Sequence, residues 1–209
     1  MAKYFIIGAI VLILLFVGIP LLVAAGTYNG LVNKQQAVDS AWAQVQNVYQ
    51  RRADLIPNLV QTVQGAANFE KSTLEDITNA RASVGKVMID AKTAPTDAAQ
   101  LQAFQQAQGQ MSQALSRLLV VSERYPDLKA NSNFIALQAQ LEGSENRISV
   151  ERGNFNDAVQ DYDASIKRFP AVLFAGMFGF TPKPYFEASA PAQTAPSVQF
   201  NFNDAQPAH

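Results

Sequence analysis

The side chains in this chain best placed to do chemistry are five charged ones standing where a helical repeat expects apolar groups: Arg52, Glu70, Arg81, Glu145 and Arg152. Two readings apply. At the edge of a packed seam, such residues lay their stems on apolar surface and keep their heads in water. Partly buried, they form an arginine–carboxylate network between helices, which adds little stability but fixes helix register. Catalysis would need a nucleophile or a pH-tuned base beside them, and neither is present. The chain has no cysteine, which excludes thiol nucleophiles and cysteine-held metals. Its one histidine is the terminal His209, which removes histidine triads and nearly all transition-metal sites. Phosphate loops and nucleotide fingerprints are absent. Carboxylates pair only as chain neighbours such as Glu75-Asp76, which point about 100° apart on a helix. The sequence therefore yields no catalytic, cofactor-binding or metal-binding residues and is read as that of a protein that is not an enzyme.

The elements that carry these charges are long helices. Residues 27–168 are rich in Ala, Gln, Leu and Val, and their three prolines, Pro57, Pro95 and Pro126, fall where helices can end or bend. A seam at alternating spacings of four and three runs through Phe134, Gln138, Leu141, Glu145, Ile148, Arg152, Phe155, Val159, Tyr162, Ile166 and Phe169. Ser132 is the expected cap of that helix and Pro170 its stop. Similar seams run through Leu31, Val38, Val45, Arg52 and Leu55, widened by Trp42 and Tyr49, and through Phe104, Gln108, Met111, Leu115 and Leu118. Another runs from Val60 through Ala67, Glu70, Leu74, Ile77, Arg81, Val84 and Met88 to Ala91. Four helical stretches with short connections predict an antiparallel up-down bundle. The unbroken last seam places the first turn at Ala53–Pro57; the competing site is Gly65–Asn68, where Gly and Asn favour a turn and Pro57 merely bends the helix.

Ahead of the bundle, Tyr4 to Ala25 carries no charge over 22 residues. As a helix it would be roughly 33 Å long, enough for a ~30 Å hydrocarbon core. Tyr4 and Tyr28 bracket it as interfacial aromatics do. Lys3 and the small residues Val23-Ala24-Ala25 also fit a cleaved signal peptide, but the apolar run is longer than the usual signal core. The predicted organisation is a transmembrane anchor at 1–26 and a bundle at 27–168. Lys3 and the α-amino group precede the span, so the positive-inside rule favours a cytoplasmic N-terminus with the bundle outside or periplasmic.

Past the bundle, residues 169–180 (FPAVLFAGMFGF) are apolar, uncharged and too short to span a bilayer. They either fold back onto the bundle, or use Phe169, Leu173, Phe174, Met177, Phe178 and Phe180 to contact another subunit or the membrane surface. Residues 181–209 read as a Pro- and Ala-rich irregular tail, with a short alternating strand signal at 198–202 that needs a partner edge. The net charge of −1, with signs interspersed, gives no basic face for nucleic acid.

Several segments in one order resemble the LemA family over nearly the whole chain. They are Tyr28-Asn29-Gly30-Leu31-Val32, Arg52 with Asp54-Leu55-Ile56-Pro57-Asn58-Leu59-Val60, and Ala80-Arg81. Tyr125-Pro126-Asp127-Leu128-Lys129-Ala130-Asn131, Glu145-Asn146-Arg147-Ile148, Phe169-Pro170, Phe178-Gly179-Phe180 and Phe186-Glu187-Ala188 follow. Where the family-like pattern has Tyr-Asn pairs, this chain has Phe155-Asn156 and Tyr162-Asp163. The resemblance implies a bacterial, membrane-anchored antiparallel four-helix bundle and, through relatives associated with magnetosome membranes, a role in membrane organisation. The expected function is a membrane-anchored scaffold that self-assembles and organises membrane or partner proteins. The alternative is an adaptor subunit of another membrane complex, such as a protease or transport machine. The expected partners are the lipid bilayer, further copies of the chain and other membrane proteins, with no cofactor and no nucleic acid.

Overall fold

A computed structural model describes residues 2–65, 69–87 and 93–187. The expected strand at 198–202 and the seam positions Ala67, Met88 and Ala91 lie outside them.

The fold is all-α. Helix α1 (Ala2–Ile13) passes through a π-helical turn, Leu14–Gly18, into α2 (Ile19–Gln64) without a break in direction. That turn directly precedes Pro20, whose missing N–H already interrupts the hydrogen-bond ladder. Among the described residues this is the one helix long and apolar enough to cross a membrane. Its large apolar side chains up to Val23, where described, touch no core and are exposed. The same helix then becomes the first helix of the bundle, burying Leu31, Val38, Trp42, Val45, Tyr49, Ile56, Leu59 and Val63.

Helix α3 (Lys71–Lys86), α4 (Ala98–Ser122), the single turn α5 (Pro126–Lys129) and α6 (Ser132–Lys167) complete the bundle. Ion pairs Lys34–Asp161 and Arg52–Glu145 show that α6 runs antiparallel to α2; Glu70–Arg124 and Asp76–Arg117 do the same for α3 and α4. Asp97 caps α4 by accepting from the Ala99 N–H at 2.9 Å. Asn131, not Ser132, caps α6, its Oδ1 accepting from Asn133 and Phe134. The expected cap is off by one residue because both side chains can cap a helix and only backbone geometry selects between them.

The turn expected at Ala53–Pro57 does not form. Helix α2 continues through Pro57 to Gln64, and the chain reverses after it. A proline at 57 leaves the Ala53 carbonyl without its helical donor. Arg81 Nε supplies a replacement at 3.4 Å. The described positions of that repeat, from Val60 to Val84, thus fall on two successive helices.

The core has two halves. The half near the apolar helix centres on Trp42, Phe104, Phe155, Val159 and Tyr162; the distal half on Ile56, Leu59, Ile77, Met111, Leu118 and Phe134. Helix α3 contributes only to the distal half. Beside the proximal half, the chain leaves α6 through the 3-10 turn Ala171–Leu173 and returns as an extended strap, residues 181–187. The turn closes at Gly179, with φ of +79° and a hydrogen bond from the Phe180 N–H to the Ala175 carbonyl at 2.9 Å. That left-handed conformation suits glycine alone among common residues.

Candidate functional site

Between the two half-cores lies a polar layer built around Arg52. Its side chain is 2% exposed although it carries a full charge. Nη1 donates to Glu145 Oε2 on α6 at 2.6 Å and to Ser112 Oγ on α4 at 3.0 Å. Nη2 donates to Gln108 Oε1 at 2.6 Å and reaches the Gln108 carbonyl at 3.4 Å. The guanidinium also stands 5.2 Å from the centre of the Tyr49 ring. One arginine so fastens three helices at one level. A charge this deep is tolerated because its donors are satisfied, one of them by a carboxylate.

About two turns along α6 from Glu145, toward the apolar N-terminal helix, Arg152 lies with its guanidinium 4.8 Å from the Phe186 ring and donates to the Glu187 carbonyl at 3.0 Å. Burial pushes the Tyr49 phenol above its ordinary pKa, and the Arg152 and Arg52 cations partly offset that. Asn156 grips the strap twice. Its Nδ2 donates to the Phe186 carbonyl and its Oδ1 accepts from the Phe186 N–H, both at 2.9 Å. Phe186 is thereby laid between Trp42 and Phe155, with ring centres 6.0 and 5.4 Å away.

Further along, the strap buries a lysine. Lys183 is 6% exposed, and its Nζ lies 3.8 Å from Asp39 Oδ1 on α2. Asp39 accepts from the Ala94 N–H at 2.9 Å, and Asp163 accepts from the Lys183 N–H at 3.1 Å. The Tyr162 hydroxyl donates to the Thr181 carbonyl at 3.0 Å; burial, then the neighbouring Asp163, raises its pKa. Among the described residues no buried side-chain nitrogen or oxygen lacks a partner. The interior polar groups are consumed in holding helices and strap together.

Comparison with known proteins adds the lineage. The sequence profile described as the LemA family matches residues 41–200, more than three quarters of the chain. The chain belongs to the LemA family. It is similar to Protein LemA of Metamycoplasma hominis, 26% identical over 160 residues, which cover 77% of this chain and 68% of that protein. It is also similar to Magnetosome protein MamQ 2 of Paramagnetospirillum magneticum, 25% identical over 189 residues, and to Magnetosome protein MamQ of Magnetospirillum gryphiswaldense, 26% identical over 190; each alignment covers 82% of this chain and 68% of the relative. These relatives and the apolar helix mark a membrane-associated bacterial type of protein.

In this LemA bundle the five seam charges do not form one network. Arg52 and Glu145 meet across helices; the other three have separate tasks. Glu70 occupies the N-cap position of α3 and pairs with Arg124 at 2.6 Å. The repeat alone makes it a mid-helix position, because the apolar spacing continues unbroken past the end of α2. Arg81 serves the Ala53 carbonyl, and Arg152 the strap. The edge reading describes the exposed Arg81, while Arg52 is fully interior. A shallow groove of about 340 Å³ opens beside Arg52, lined by Ser112, Leu115, Leu119, Gln138, Leu141 and Glu145.

The apolar segment 169–180 divides. Ala171, Ala175 and Phe180 are buried in the proximal core and Phe174 is half-buried. Phe169, Leu173, Met177 and Phe178 stay exposed. Sequence reasoning missed Asp39 and Lys183, and gave Asn156 and Asp163, noted there only within family-like pairs, no role. The available signal was Pro182-Lys183-Pro184, since each proline holds the residue before it extended, followed by the apolar Phe186.

Proposed function

We propose that the protein is a membrane-anchored structural scaffold that self-assembles and organises membrane or partner proteins without catalysing a reaction. The observation that carries this reading is the unbroken helix from the apolar segment to Gln64. From Gly26 to Gln64 it rises roughly 57 Å at ~1.5 Å per residue. The distal end of the bundle is then held at a set distance from the bilayer rather than swinging on a linker. The interior is built to resist bending: Arg52 ties three helices at mid-height, and the strap ties α6 to α2. Self-association and a position on the outer or periplasmic face, following the positive-inside rule, belong to the same proposal. The naming of two relatives as magnetosome proteins favours a role in organising a membrane structure. With no unsatisfied buried polar group among the described residues, the interior offers no evident centre for acid–base or nucleophilic chemistry.

Native mass spectrometry of the full chain in mild detergent and in lipid nanodiscs tests this. A discrete homo-oligomer that persists in both supports the scaffold. A single copy carrying a different membrane protein at fixed stoichiometry would make it an adaptor instead. A strictly monomeric chain with no companion would overturn the proposal.

A further inference from the structure

We propose that the exposed apolar face of residues 169–178 is seated in the headgroup region of the bilayer, giving the bundle a second foothold beside its helical anchor. This rests on the reading of the N-terminal helix as a membrane span.

The first argument is position. Tyr28 follows the end of the apolar run at Ala25 by only three residues, about 4.5 Å of helical rise. Its ring lies 5.2 Å from Phe178 and 5.7 Å from Phe180. The segment therefore abuts the helix where the span leaves the hydrocarbon. The register set by Lys34–Asp161 and Arg52–Glu145 brings the end of α6 to that level too.

The second argument is the division of the segment. Its inner side chains, Ala171, Ala175 and Phe180, are in the core, whereas Phe169 is 80% and Met177 81% exposed, with Val172, Leu173 and Phe178 exposed between them. Five apolar groups facing outward from an ordered turn need an apolar partner. The backbone is prepared for one. Val172 donates to Arg168, Ala175 to Ala171, Phe178 to Phe174 and Phe180 to Ala175, at 2.8 to 3.0 Å. A segment with most of its amides paired internally can enter the water-poor part of an interface while stranding few of them.

The third argument concerns the occupant. The stretch from Phe169 to Phe180 has no charge, and Lys167 and Arg168 border it. Apolar and aromatic groups flanked by basic ones match the layered chemistry of an interface, with acyl chains below and anionic headgroups above. A second copy fits less well. A stable protein interface takes roughly 20–30 residues a side, and this face offers five side chains.

Because the chain has no cysteine, single cysteines report cleanly. The full-length protein is prepared as four variants, Met177→Cys, Val172→Cys, Phe16→Cys and Val120→Cys, each labelled with an environment-sensitive fluorophore. They are reconstituted in vesicles of phosphatidylcholine and phosphatidylglycerol containing lipids with a nitroxide high on the acyl chain or near its end. The expected result is blue-shifted emission from the Met177 and Val172 labels, with the larger loss to the shallow nitroxide. The Phe16 label should lose more to the deep nitroxide, and the exposed Val120 label to neither. Water-like emission at Met177 and Val172 with a quenched Phe16 label overturns the foothold and leaves the anchor standing. Blue-shifted but unquenched labels there overturn it in favour of a second protein copy. A Phe16 label untouched by either nitroxide removes the span, and the foothold falls with it.

Discussion

Replacing Arg52 with methionine tests whether the polar layer holds the bundle in register. The methionine fills most of the same volume but donates nothing. Gln108, itself buried, then loses the partner of its side-chain oxygen, and Ser112 loses another. Each buried group left unsatisfied costs about 1–3 kcal/mol. Glu145 is 58% exposed and rehydrates readily, so its loss adds little. The expected destabilisation is roughly 2–4 kcal/mol. Glu145→Gln keeps an acceptor for Arg52 but leaves the buried guanidinium without its counter-charge, so it should cost about 1–3 kcal/mol although Glu145 itself is exposed. Converting the layer to apolar residues together, Arg52→Met with Gln108→Leu, should recover much of the loss, since a matched apolar replacement of a buried ionic cluster is often close to neutral. The assay is urea unfolding of the full chain in mild detergent, followed by Trp42. That single tryptophan is fully buried against Phe104 and Phe155, so its emission starts blue and reports the bundle alone. A single Arg52→Met variant within about 0.5 kcal/mol of the parent, the range of ordinary surface changes, would refute the reasoning. So would a Glu145→Gln variant indistinguishable from the parent, because the deep charge would then need no counter-charge.

The raised pKa of Tyr49 makes stability fall in alkali. Above the ordinary phenol value of about 10 the unfolded chain loses its proton first, so the folded state is destabilised as pH rises; Tyr49→Phe should flatten that decline in thermal melts between pH 9 and about 11, leaving a residual slope from Tyr162. Gly179→Ala should cost about 1–2 kcal/mol because φ of +79° strains any Cβ, whereas Gly176→Ala, with open space around its Cβ position, should be nearly neutral by the same unfolding assay. Asn156→Ala removes both hydrogen bonds to Phe186 and should make residues 181–187 more sensitive to limited proteolysis; unchanged cleavage would mean that Phe186 burial alone holds the strap.

Much of the fold was legible because helix formation and membrane partition are local. The uncharged run from Tyr4 and the repeat of apolar residues in α2, α4 and α6 follow from side-chain spacing within one helix. The burial of Trp42 followed from its place beside the Val38–Val45 seam. The first turn was misplaced for an equally local reason. Pro57 looks like a terminator because its own ring removes a hydrogen bond, and the compensating donor, Arg81, is 28 positions from the Ala53 carbonyl it serves.

The same contrast of distance separates the remaining features. Residue type and periodicity determined that this chain makes a long apolar N-terminal helix and an antiparallel bundle, and that it lacks the usual means of histidine or cysteine chemistry. They also singled out Arg52 as a charge on an apolar seam. Only the tertiary structure decided what that charge does. Its partners Gln108, Ser112 and Glu145 stand on two other helices, and each alone is an ordinary polar residue. Lys183 carries no local signal of burial at all. It is interior because Asp39, brought from 144 positions away, accompanies it, and because Asp163 and Asn156 hold the strap backbone in place. A charged group's solvation depends on what surrounds it in space, and that is settled only once the helices have packed.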